Sequence, residues 1–193
     1  NRPSMPYTVG STRSEYGEGF VQTSDGGYVV AGSIEIENAG FNVYLLKTDA
    51  SRNILWQKNF GGSENDNGNA VQQTPDGGFI ITGSKTTMGY RDLYLIRTDA
   101  DGNTMWSKTY GGFGYQGGYA VVCSDDGGFV VAGLYNSSSS SQDRNVLLLK
   151  ADGDGNLIWE KHFGHPIYQS AANCLQRTSD GGYIIGGYGH LHT

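Results

Sequence analysis

The sequence predicts an all-β fold, a β-propeller of about four blades or an arc of one, and three observations predict it. Asp-Gly-Gly recurs at Asp25, Asp76, Asp126 and Asp180, with spacings of 51, 50 and 54 residues. The only three tryptophans, Trp56, Trp106 and Trp159, keep the same beat in steps of 50 and 53. No segment has helical periodicity, and a short apolar run follows every Asp-Gly-Gly. A period of about fifty residues is the length of one propeller blade. Four strands per unit, on faces that no unit can bury alone, then imply stacked antiparallel blades.

The first strand is clearest in the second copy, where Asn69-Ala-Val-Gln-Gln-Thr74 alternates and runs into Pro75-Asp76-Gly77-Gly78. Glycine at both later positions permits the positive φ that a tight hairpin between right-twisted strands requires. The second strand is the run Phe79–Thr82, matched by Tyr28–Ala31, Phe129–Ala132 and Tyr183–Gly186. Continuous β-branched runs of this length belong to strands covered on both faces. The third strand is Asp92–Thr98, matched by Asn42–Thr48 and Asn145–Lys150. After the turn Asp99-Ala-Asp-Gly-Asn103, the fourth strand is Met105–Tyr110. By period two it places Trp106, Lys108 and Tyr110 on one face, as it does Trp56/Lys58/Phe60 and Trp159/Lys161/Phe163. These aromatics are expected to pack on the next blade, with the lysine stem between them.

The pattern Asp-Gly-Gly-aromatic-β-branched, then Leu-Tyr-Leu-Ile-Arg-Thr-Asp with Gly-Asn and Trp following, resembles the Asp-Gly-Gly-type propeller repeats of exported bacterial and archaeal proteins. Its third and fourth strands also resemble the blade of quinoprotein-like propellers. The resemblance runs from Glu15 to Tyr188 and implies a secreted or surface-displayed β-propeller. It implies no quinone chemistry, because the turn differs and cofactor ligands are not recognisable.

The phase of the repeat divides the chain into residues 1–14, blades at 15–62, 63–112 and 113–165, and a partial blade at 166–193. Tyr7-Thr8-Val9-Gly10 aligns with Lys58-Asn59-Phe60-Gly61, the end of a fourth strand, and Met5 stands where Trp56 would. Only two strands, Ala172–Thr178 and Tyr183–Tyr188, follow the third blade. Two arrangements fit. The last blade is shared between the termini in a closed ring, or its edge is completed by another subunit through strand addition or exchange. An unpaired edge is an association site unless blunted. Tyr7, Thr8, Val9, Tyr183, Ile184 and Ile185 are therefore the expected assembly residues, giving a homo-oligomer or filament.

Bulk composition narrows the partners. A net charge of −6 argues against nucleic acid, whose phosphates need a basic face. No apolar run reaches the length of a membrane-spanning helix. A first residue other than Met fits a processed, exported chain and equally a fragment. Cys123 and Cys174 lie on equivalent strands of adjacent blades but about three residues, roughly 10 Å, out of step. A disulfide needs Cα atoms within about 7 Å, so two buried thiols are the expectation.

Asp99-x-Asp101-Gly-Asn and Asp152-x-Asp154-Gly-Asn carry the opening of a calcium loop, whose close carboxylates supply hard oxygen ligands, but lack its terminal Glu. The competing reading is a hairpin turn, where Asp, Asn and Gly satisfy their own backbone. The Asp-Gly-Gly aspartates are expected to bond turn amides, although a rim of four could take a cation or sugar. His162, His165, His190 and His192 have no counterparts in other copies, and His190-x-His192 is a weak metal signal. Asn136-Ser137-Ser138 is a glycosylation sequon that opens a serine run to Ser141, in the loop that lengthens the third copy. Nucleophile–base pairs, phosphate loops and paired glycosidase carboxylates are not recognisable. The functional expectation is a non-catalytic extracellular or cell-surface propeller with a structural or adhesive role. The alternative is a lectin-like propeller binding glycan in Tyr- and Trp-lined grooves between blades, and an enzyme with loop-borne catalytic groups ranks third.

Overall fold

A computed structural model describes residues 13–136, 144–164 and 168–191. The described residues form fourteen strands and no helix. In chain order these are β1 (Glu15–Gln22), β2 (Tyr28–Ile36), β3 (Gly40–Thr48), β4 (Ile54–Phe60), β5 (Asn67–Gln73), β6 (Phe79–Thr87) and β7 (Tyr90–Thr98). There follow β8 (Thr104–Tyr110), β9 (Tyr115–Cys123), β10 (Phe129–Asn136), β11 (Arg144–Ala151), β12 (Leu157–Phe163), β13 (Tyr168–Arg177) and β14 (Tyr183–Leu191). Strands β1–β4 make one antiparallel sheet in sequential order. Strands β5–β8 and β9–β12 repeat that meander, and a single parallel bridge, Arg91 to Tyr115, joins the two. The last sheet is the pair β13–β14.

Alternation along the second strands explains their unbroken apolar sequence. Phe79 and Ile81 enter one core with Val29, Val43 and Leu45 of the first sheet. Ile80, between them, enters the next core with Phe129, Val131 and Leu147. Val130 in turn faces Ala172, Tyr183 and Ile185 of the last pair. Each interior sheet is thus clothed on both faces, and burial of a side chain such as Ile80 stabilises the fold by about 2 kcal/mol.

The Asp-Gly-Gly turns use their two glycines differently, which corrects the expectation of positive φ at both. Gly26, Gly77, Gly127 and Gly181 have φ between 79° and 88°. The second glycine is needed for space, since a Cβ at Gly27 would strike the Thr48 carbonyl of β3, and one at Gly78 the Thr98 carbonyl of β7. Side chains are excluded there by a neighbouring strand, not by φ.

Candidate functional site

Each Asp-Gly-Gly turn is an ion-pair site as well as an Asx turn. Asp25 accepts from the Gly27 amide at 3.0 Å and from Lys47 Nζ at 2.8 Å. Asp76 pairs with Arg97, and Asp126 with Lys150. The cations sit on β3, β7 and β11. Lys47 and Arg97 are only 6% and 7% exposed along their side chains, so their charges depend on these partners. Lys47, with Thr23 and Gly27 assisting, holds the Asp25 carboxyl well below the usual carboxylate range. Asp126 is lowered in the same way by Lys150 and Ser124. These aspartates already have cations of their own, which leaves little reason for a shared cation on that rim. Asp180, with no third strand described after it, bonds only Thr178 and the Gly182 amide.

The Asp-x-Asp-Gly-Asn turns are docking points between sheets. Asp99 Oδ1 accepts from the amides of Asp101 and Asn103, and Oδ2 accepts from Asn103 Nδ2. Asp152 holds Asp154 and Asn156 in the same way. Both carboxyls are lowered chiefly by the Asn side chain they bind. The turn then receives the fourth strand of the preceding sheet. Lys58 donates to Asn103 Oδ1 at 3.1 Å, and Lys108 to Asn156 Oδ1 at 2.8 Å. Trp106 donates its indole N–H to Gly153 O, and Tyr110 its hydroxyl to Gly155 O. A Cβ at Gly102 or Gly155 would lie 2.9 Å from ring carbons of Trp56 or Trp106. Trp56 and Trp106 also meet Phe79 and Phe129 edge-on or tilted at 5.9 Å. The tryptophans are therefore spent on packing, and no group of three His, Cys, Asp or Glu side chains converges among the described residues. Asp99 and Asp152 form these turns with their carboxylates, whereas Asp101 and Asp154 contribute backbone amides.

The last pair lacks this support. Trp159 packs inward with Val130, Tyr183 and Ile185, and Lys161 lies 5.4 Å over its ring. No glycine turn is described beyond it. Ile184, whose counterparts face the next sheet, is 62% exposed. An apolar cavity of about 330 Å³ opens beside Val146, Phe163, Ala172 and Ile185. Tyr7, Thr8 and Val9 lie outside the described residues.

A second feature was not legible in the motifs. Each first strand carries one β-bulge at the same register, seven residues before its Asp-Gly-Gly aspartate. The extra residues are Glu18, Asn69, Tyr119 and Asn173. A bulge re-aims a side chain out of the strict alternation of a strand. All four line one polar cavity of about 480 Å³, with Ser33, Ser84, Arg91 and Tyr115. Ser33 donates to Asn67 Oδ1 at 3.2 Å, and Asn69 Nδ2 to Gly118 O at 2.8 Å. Arg91 donates to the Tyr115 hydroxyl at 3.1 Å, its guanidinium 5.4 Å from that ring's centre. Burial, with Tyr115 adjacent, raises the Tyr119 hydroxyl above its ordinary range, so it stays protonated. The signal in sequence is a small residue before each bulge, Gly17, Gly68, Gly118 and Ala172.

The remaining candidates are scattered. His162 bonds Glu160 and stacks on Tyr135 at 3.7 Å, and His190 lies 5.2 Å from Tyr188. His165, His192 and the serine run from Ser137 to Ser141 are outside the described residues. Asn136 ends β10 with 4% exposure. Both cysteines are free, and the expectation of two buried thiols fails for Cys174, which is exposed because no further sheet among the described residues covers β13 and β14. Cys123 is half-buried, and burial raises its thiol. At the same register Gln73 reaches back to the Ser24 amide and Arg177 to Asp125, whereas the shorter Cys123 leaves a cavity of about 340 Å³ beside Trp106 and Phe129. No helix among the described residues is long and apolar enough to cross a membrane. No family model matches this sequence, and neither does any curated protein.

Proposed function

We propose that this chain is a non-catalytic β-propeller, or an arc of one, of the extracellular or cell-surface kind, which self-associates through its last pair of strands in a structural or adhesive role. The single observation that carries the reading is the difference between Ile184 and its counterparts. Val29, Ile80 and Val130 are fully buried by the following sheet, while Ile184 projects into solvent beside a β14 edge that no strand among the described residues pairs. Sheet edges of this kind recruit strands. The complement for that face is another four-stranded unit of the same type, which a second copy carries. Such a unit brings a cation for Asp180 and a turn for Trp159. Residues 1–12, aligned with a fourth strand, are the segment expected to cross between copies.

Light scattering on the purified chain and on a variant lacking residues 1–12 tests this. Assembly by the full chain and a soluble monomer from the truncated one are expected. A full chain that stays monomeric at high concentration, or a truncation that assembles unchanged, would overturn it. Electron microscopy of the same samples distinguishes rings from filaments.

A further inference from the structure

We propose that the cavity ringed by the four bulged residues is a binding site for a neutral carbohydrate. The cavity differs from the rest of the molecule in what its side chains are doing. The polar groups of the Asp-Gly-Gly and Asp-x-Asp turns close on one another, as Asp25 on Lys47 and Asp99 on Asn103 do. Here Glu18 and Asn173, on the first and last of the four bulged strands, have no hydrogen-bond partner among the described residues. Asn69 uses only its amide N–H₂ internally and leaves Oδ1 available.

Composition points to the ligand class. The wall offers a carboxylate acceptor, a guanidinium donor, amides that do both, and the rings of Tyr115 and Tyr119. Sugar hydroxyls donate and accept at once, and the C–H face of a pyranose stacks on an aromatic ring. A volume of about 480 Å³ lies within the range of small-molecule sites and holds one or two sugar rings. One carboxylate and one guanidinium in the same lining favour a neutral ligand over an anion or a dication. Four equivalent bulges that converge from four successive sheets make a site that is built once per molecule. It differs from the groove reading, in which sugar stacks between blades on tryptophans that Gly102 and Gly155 already cover. The site does not depend on self-association, because monomer and assembly carry it alike.

The test is titration of the full chain with methyl glycosides of glucose, galactose, mannose and N-acetylglucosamine, followed by saturation-transfer NMR and calorimetry. Saturable millimolar or tighter binding of at least one glycoside is expected. Glu18→Gln and Asn173→Ala should each weaken it about tenfold, the loss of one charge-assisted or bidentate hydrogen bond to the sugar. Both residues are exposed and unbonded, so melting curves should stay unchanged; Glu160→Gln, on the remote β12, should bind as the parent does. Tyr119→Phe, which keeps the ring, serves as the second variant if either of the others unfolds. No binding of any glycoside by the parent chain, or binding that Glu18→Gln and Asn173→Ala both leave intact, would overturn the proposal.

Discussion

Four residues beyond each Asp-Gly-Gly aspartate, Val29, Ile80 and Val130 are fully buried, whereas Ile184 is 62% exposed. The strands around them read almost identically: Tyr-Val-Val, Phe-Ile-Ile, Phe-Val-Val and Tyr-Ile-Ile. What differs is the sheet that follows. The same contrast runs through the second glycine of the turn. Gly27 and Gly78 are pressed by a third-strand carbonyl, while the nearest atoms to a Cβ at Gly182 belong to its own turn, Thr178 and Asp180. Tertiary neighbours, not local sequence, decide whether a given position of the repeat is under constraint.

The largest test of that contrast is a matched pair of truncations. Ile80→Ala should lower stability by about 3 kcal/mol through lost burial and a residual cavity. In the monomer that lacks residues 1–12, Ile184→Ala should stay within about 0.5 kcal/mol, as exposed substitutions do. Urea midpoints of the monomer measure both, and equal losses would mean that the last pair is covered within one chain.

A second test concerns the docking turns. Gly155→Ala forces a Cβ against Trp106 at a φ of 75°, and should cost about 2 kcal/mol. Arg52, with a φ of 71°, holds the equivalent position in the first sheet. Arg52→Gly should therefore stabilise by up to about 1 kcal/mol through relief of backbone strain. Thermal melts of the two variants should move in opposite directions.

A third test uses pH. The Asp25 and Asp126 carboxyls are held below their unfolded values, so their contribution is fully present above about pH 4. It is lost as pH falls through the folded values. Both carboxylates are more than half exposed, which screens each pair to about 1 kcal/mol or less. Lys47→Met should flatten the acid side of the stability curve between pH 5 and pH 2, as followed by urea midpoints at each pH. The smallest effect on folding belongs to Ile184→Lys, which should leave the melt of the monomer lacking residues 1–12 unchanged while diminishing assembly of the full chain by light scattering.

The strands and turns were legible because each is written in residues with a local reason, such as the Asx aspartates Asp99 and Asp152 or the doubly buried Phe79–Ile81 run. The two carboxylates of each Asp-x-Asp turn suggested calcium, and spacing alone does not reveal that the first of them, Asp99 or Asp152, is bonded by Asn103 or Asn156. The ion pairs of Asp25 and Asp76 also escaped, since Lys47 and Arg97 are a strand away and buried charges are not anticipated from pattern. The cavity was hidden for a different reason. One inserted residue per strand leaves an alternating pattern nearly intact, so Glu18, Asn69, Tyr119 and Asn173 looked like ordinary surface positions.

Those bulges also separate two kinds of evolutionary freedom. A residue outside the ladder alternation takes no part in either core, so its identity is less tied to the stability of the sheets that carry it, Asn69 with its bond to Gly118 O being the exception. The four positions hold Glu, Asn, Tyr and Asn on otherwise similar strands. The molecule thus resembles a fixed chassis with four interchangeable heads aimed at one space, and a handful of substitutions there could retune selectivity while the frame is inherited unchanged.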